Sequence, residues 1–158
     1  MKIKKQLTAL IAASTLVGTL PASAHEGQHM TPEMMLSLAR VGASSLSPDG
    51  KTIVYSVGFP NIKENKIRAE LFSIASNGTG RRQLTKGIAG LQAARWIQQG
   101  SRISYISSES GEPQVWTMAP DGTDRKQVTH IEGGLSDYLF SPDETKLAYI
   151  KEISFGKS

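Results

Sequence analysis

The chain repeats itself, and the repeat length restricts what it can fold into. Three segments align: LSPDGKTIVY ending at Tyr55, WIQQGSRISY ending at Tyr105, and FSPDETKLAY ending at Tyr149, with spacings of 50 and 44 residues. A second pair, ELFSIASNGTGRRQLT ending at Thr85 and QVWTMAPDGTDRKQVT ending at Thr129, is again 44 residues apart. Units of about 40–45 residues built from short strands are the mark of β-propeller blades, which bury their faces against neighbouring blades. The expected fold is all-β, a partial β-propeller of about two and a half four-stranded blades.

Each aligned piece has a mechanical reason. In Ser47-Pro48-Asp49-Gly50 the proline presets φ, the aspartate can bond the local backbone, and the glycine supplies a positive φ. Lys51 to Val57 then reads as a strand with Ile53, Tyr55 and Val57 on one face. Asn77-Gly78 and Asp121-Gly122 are hairpin turns between the third and fourth strands of their blades. Asn77-Gly78-Thr79 is also a glycosylation sequon, although the turn alone accounts for it. The first unit carries a longer charged hairpin loop, Phe59 to Ala69, than Glu109 to Pro113 in the second. Two positions depart from the repeat: Gln98-Gln99 replace Pro-Asp, and Glu144 replaces the turn glycine. The blades are expected at Val41–Leu84 and Gln92–Val128, with a third begun at Tyr138 and cut short by the end of the sequence at Ser158.

The start of the chain reads as an address. MKIKKQLTALIAASTLVGTLPASA has a basic beginning, an apolar stretch from Leu7 to Leu20, a break at Pro21 and an A-x-A site at Ala22-Ser23-Ala24. These are the regions of a secretory signal peptide. The stretch is shorter than the ~20 apolar residues of a membrane span. The expected organisation is a signal peptide at 1–24, a leader with a short helix at 25–40, and propeller from 41 to 158. Export to a bacterial periplasm follows, with no membrane association after cleavage. Processing would remove Lys2, Lys4 and Lys5, leaving 15 basic residues against 14 acidic ones. That balance gives no electrostatic reason to expect a nucleic-acid partner. The chain has no cysteine, hence no disulfide, thiolate metal site or cysteine nucleophile.

His25-Glu26-Gly27-Gln28-His29 matches H-E-x-x-H, in which two histidines one turn apart hold zinc and the glutamate is general base. After cleavage these would be the first five residues of the mature chain. A zinc site needs a buried helix, a third ligand and a supporting hydrogen-bond shell. The remaining histidine, His130, stands alone at a strand end or turn. No metal, cofactor or catalytic residue is therefore assigned. Next, TPEMMLSLARVG reads as a short helix capped by Thr31, with Pro32 and Glu33 in its first turn and Gly42 after its close. Met34, Met35, Leu36 and Leu38 are expected to pack against the rim of the propeller.

From Thr31 onward the chain resembles secreted bacterial members of the prolyl oligopeptidase family of serine peptidases, of the dipeptidyl-peptidase and acylaminoacyl-peptidase kind. The residues that carry the resemblance are the helix TPEMMLSLARV running into SPDGKTIVYSV, and the segments ELFSIASNGTGRRQLT and VWTMAPDGTDRKQVT, which are similar to TolB or WD40-like repeats. The resemblance implies a propeller that restricts peptide access to a C-terminal α/β-hydrolase domain, whose serine lies in G-x-S-x-G. No G-x-S-x-G occurs here. Ser44, Ser45 and Ser47 lead into a turn, and Ser107, Ser108 and Ser110 surround a hairpin. Glu109, Glu112, Glu132, Asp137, Asp143 and Glu144 read as surface carboxylates. The expected function is that of an N-terminal propeller fragment of an exported serine exopeptidase. It would gate peptides, lack its hydrolase domain, and be inactive alone. The alternative is a non-enzymatic TolB-like periplasmic propeller that binds protein partners. The short leader between signal and blades leaves no room for the α/β domain that TolB-type proteins place there.

Overall fold

Two four-stranded antiparallel sheets and a two-stranded one follow each other along residues 29–153, the part of the chain that the computed structural model describes. The expected signal peptide at 1–24 and His25 to Gln28 lie outside those residues. A helix α1 (Pro32–Ser37) leads into the first sheet: β1 (Arg40–Leu46), β2 (Thr52–Asn61), β3 (Lys66–Ala75) and β4 (Arg82–Gln83). The second repeats the order with β5 (Gln92–Ile97), β6 (Arg102–Ser107), β7 (Gln114–Met118) and β8 (Lys126–Gln127). The third contains β9 (Asp137–Phe140) paired with β10 (Leu147–Ile150). Strands start within a residue or two of the limits read from the repeats.

The turns explain the spacing. The Ser47 hydroxyl donates to Asp49 (2.6 Å) and accepts the Thr52 N–H (2.9 Å), while the Lys51 N–H donates to Asp49 (3.0 Å). Ser141, Asp143 and the Thr145 and Lys146 N–H groups rebuild the same arrangement in the third unit. Asn77 accepts the N–H and hydroxyl of Thr79 at 3.0 and 2.7 Å, and Asp121 accepts those of Thr123 at the same distances. Because an aspartate makes these bonds equally well, the Asn-Gly-Thr geometry is turn chemistry and carries no glycan argument.

The core lies between sheets. One cluster joins Val54 and Leu71 of the first sheet, Leu84, Ile88 and Leu91 of the connection, and Ala94, Ile103, Tyr105 and Met118 of the second. Another joins Ile106 and Val115 to Leu135 and Tyr138 of the third unit. The second sheet is thus covered on both faces, which is why β6 and β7 are buried almost end to end. The first strands of neighbouring units also touch: the Trp96 indole Nε1–H donates to the Ser45 carbonyl at 3.1 Å. The Tyr138 hydroxyl bonds Ser104 Oγ (2.7 Å) and the Ala93 carbonyl (3.0 Å), and burial pushes its pKa up to about 12.

Several expectations need correction. α1 is capped as expected, the Met34 N–H donating to Thr31 Oγ1 at 3.2 Å, but it ends at Ser37 and buries none of its residues. Met34, Met35, Leu36 and Leu38 remain 42–54% exposed, so among the described residues they are not buried against the sheets. Gly42 is not a helix terminator; it sits in β1, where a Cβ would collide with the Ser56 hydroxyl. Ile53, Tyr55 and Val57 do share a face, but the deepest residue of β2 is Val54 on the other side. Alternation showed the period but not which face of the sheet its neighbour covers. Finally, Phe59 to Ala69 is not a loop: β2 and β3 pair from Thr52↔Ala75 to Asn61↔Lys66, leaving a turn of four residues.

Candidate functional site

That extension makes the first sheet taller than the second. β6 and β7 stop pairing at Ser107↔Gln114, which aligns with Val57↔Glu70 in the first sheet. The first hairpin therefore continues past that level, and from Phe59↔Arg68 to Asn61↔Lys66 it is a two-stranded ribbon. Between the ribbon, the end of α1 at Ser37 and the Gly87–Gly90 connection lies a groove of about 860 Å³. Phe59, Pro60 and Ile67 supply apolar wall, Ile88 lies at its base, and Lys63, Lys66 and Arg68 stand around it with Glu64. The second unit has a smaller counterpart of about 350 Å³, lined by Glu112, Gln114, His130 and Glu132.

A buried clasp fixes the connection against the ribbon. Glu70, 1% exposed, accepts the Thr85 hydroxyl at 2.8 Å and the Gly87 N–H at 2.7 Å, with Arg68 Nε 3.4 Å away. The Thr85 hydroxyl in turn accepts the Leu71 N–H at 2.8 Å. Gln114 does the same work 44 residues later, accepting the Thr129 hydroxyl (2.8 Å) and the Ile131 N–H (3.0 Å). Its amide also donates to the Ile131 carbonyl at 2.7 Å. These paired residues open and close the aligned segments, yet sequence reasoning passed over them; their recurrence at both ends was the available signal.

The carboxylates singled out from the sequence are dispersed. Glu109 grips Arg125 through both oxygens (2.9 and 3.2 Å), and Glu112 accepts the Gly133 N–H at 2.9 Å. Glu132 engages Lys151 only through its carbonyl. Asp137 pairs with Arg95 at 3.0 Å. Asp143 is held below the usual carboxylate range by the Ser141 hydroxyl and the Thr145 N–H. Glu144, at φ 55°, accepts the Gln98 N–H with both oxygens at 2.7 and 2.8 Å. Ser45 accepts the Trp96 N–H, Ser47 closes its turn, and Ser107 donates to the Ala89 carbonyl. No histidine stands beside these serines in those bonds. Among the described residues no three His, Cys, Asp or Glu are grouped to hold a metal. What this surface offers is shape, apolar wall and charge.

Comparison with known proteins gives the arrangement a context. No family model matches the chain. It is 41% identical over 96% of its length to dipeptidyl-peptidase 5 of Porphyromonas endodontalis, and 43% identical over 98% to that of Porphyromonas gingivalis. It spans only 23% of either relative. Among solved structures, the β-propeller domain of the Trilobed protease from Pyrococcus furiosus matches 74% of the chain with a TM-score of 0.55, 16% identity and 36% of its own length. TolB from Acinetobacter baumannii matches 73% with a TM-score of 0.59, 22% identity and 27% of its own length. The resemblance to dipeptidyl-peptidases read from the sequence is borne out, and the sheets share the fold of propeller domains.

Proposed function

We propose that this chain, akin along its whole length to under a quarter of the dipeptidyl-peptidases, is the propeller section of an exported serine exopeptidase. One observation carries the reading: near-complete coverage of this chain at 41–43% identity, against 23% of each relative. The two four-stranded sheets are then blades, and β9 with β10 belongs to a third. The inner strands β1, β5 and β9 line the propeller axis. Closure takes about 4–8 blades, so the remaining blades and an α/β-hydrolase domain belong to the rest of the polypeptide. The serine, aspartate and histidine of catalysis sit in that domain, and residues 41–153 wall the approach to it. Their effect is on which peptides reach the serine, since neither base nor oxyanion hole is theirs. Likeness to TolB is one of fold, and the dipeptidyl-peptidase identity favours the enzyme over a partner-binding scaffold.

Export is part of the same proposal: N-terminal sequencing of periplasmic material should begin at His25, and an intact Met1 on cytoplasmic protein would exclude processing. The decisive experiment compares the 158-residue chain with the polypeptide extended to the length of its relatives. The extended protein should release chromophore from dipeptidyl substrates and take up a fluorophosphonate label. The chain alone should do neither. Labelling of the chain alone would overturn the assignment.

A further inference from the structure

We propose that the overhanging ribbon of the first sheet, residues 59–68, is a docking ledge for an acidic peptide segment that carries an apolar side chain. Three features lead there. The first is an open side. β1 last pairs with β2 at Arg40↔Gly58, so Phe59, Pro60 and Asn61 have no strand beyond them, and the shorter second hairpin does not rise to meet the ribbon. The second is unspent apolar surface. Ile62 and Ile67 are 53% and 64% exposed, and Pro60, the register partner of Ile67, shares its face above the buried Ile88. A water-filled groove over such residues gains by receiving an aliphatic or aromatic side chain.

The third feature is charge, and it selects the occupant. Lys63, Lys66 and Arg68 line the groove against one carboxylate, Glu64, and among the described residues only Arg68 is engaged by an acid, Glu70. The counterpart groove of the second unit has the opposite character, with Glu112, Glu132 and a single histidine. The positive rim therefore comes with the ribbon and is not a property of the repeat. Lys63 in the turn and Lys66 at the start of β3 stand together at the tip of the ribbon, between Ile62 and Ile67, so a segment with carboxylates beside its apolar residue satisfies both. Surface charge of this kind sets which segment is attracted, and salt should weaken it.

The test is fluorescence anisotropy on the full-length protein that carries this chain, treated beforehand with a fluorophosphonate so that no peptide is shortened. An acidic peptide with a Leu-Phe centre should bind, and binding should fall as salt rises. Its lysine counterpart, and an acidic peptide with serines at the centre, should each bind about tenfold more weakly or not at all. Lys63→Glu with Lys66→Glu should cost the acidic peptide about tenfold while leaving the melting temperature unchanged, since both side chains are exposed. Lys51→Glu, at the other end of β2, should change nothing. Equal binding of acidic and basic peptides, indifference to the double substitution, or Lys63/Lys66-dependent binding of anionic vesicles without acidic-peptide binding would each overturn the proposal. None of these outcomes depends on peptidase activity, so failure here would leave the enzymatic reading untouched.

Discussion

At the scale of single residues, Glu70 and Gln114 form a natural comparison. Both sit buried in the third strand of their sheet and collect a threonine hydroxyl and a backbone N–H from the connection. The amide spends its nitrogen on a carbonyl as well, whereas the carboxylate must be held out of water with one partly exposed arginine nearby. Burying a charge with a single imperfect partner is costly, and the neutral isostere already fits this pocket. Glu70→Gln should therefore shift unfolding free energy by no more than ~1 kcal/mol in either direction, whereas Glu70→Ala, which orphans the buried Thr85 hydroxyl and the partly buried Gly87 N–H, should cost about 1–3 kcal/mol. Urea titration of the two variants checks this. Equal losses from both would mean that the charge itself holds the connection.

At the scale of elements, the hairpin turns show what the sequence could and could not disclose. Asn77-Gly78 and Asp121-Gly122 were legible because only a few residues accept a positive φ, and both glycines have one, at 84° and 90°. Their surroundings were not legible. Nothing lies near a Cβ built on Gly78, but one built on Gly122 would run into the Leu84 carbonyl of the preceding unit. Gly78→Ala should thus cost about 1–2 kcal/mol for backbone strain alone. Gly122→Ala should cost clearly more, because the neighbouring unit must also move; thermal melts that rank them the other way would refute the contact. The same blindness explains the other misses. Periodicity marked the strands, repeat spacing marked the units, and the serines and carboxylates of the sequence proved to be turn and clasp groups. The ribbon was misread because Lys, Glu and Asn in its turn resemble a loop, while the pairing that extends it is a property of two strands together. The packing of α1 was overread for the converse reason: the helix runs beside β2, yet an apolar stripe does not say how deeply one short helix is buried.

At the scale of the whole molecule, stacking is what makes the sheets stable, and two tyrosines sit within it. Tyr105 lies in the cluster joining the first and second sheets, and Tyr138 in the one joining the second and third. Burial raises each pKa to about 12. An unfolded chain releases those protons near pH 10, whereas the folded one retains them. Stability is therefore whole below pH ~10 and should fall by about 1.4 kcal/mol per pH unit per tyrosine between ~10 and ~12. Urea unfolding at several alkaline pH values would show the slope, and a flat profile would mean that the phenols are not shielded. The chain by itself should also bind hydrophobic dyes, since Leu139, Ile150 and Ile153 are each more than 60% exposed; the extended protein should lose that fluorescence. The bond from Gln98 N–H to Glu144 has a bearing on how such a molecule can change over generations. Each residue, judged against its sister turns, looks like a fault, and a designer averaging the repeats would correct both. Yet proline at position 98 would have no hydrogen to offer, and glycine at 144 no oxygen to receive one. The two oddities are one joint trait, and a lineage can abandon it only by losing both halves together or by tolerating an unmatched one on the way.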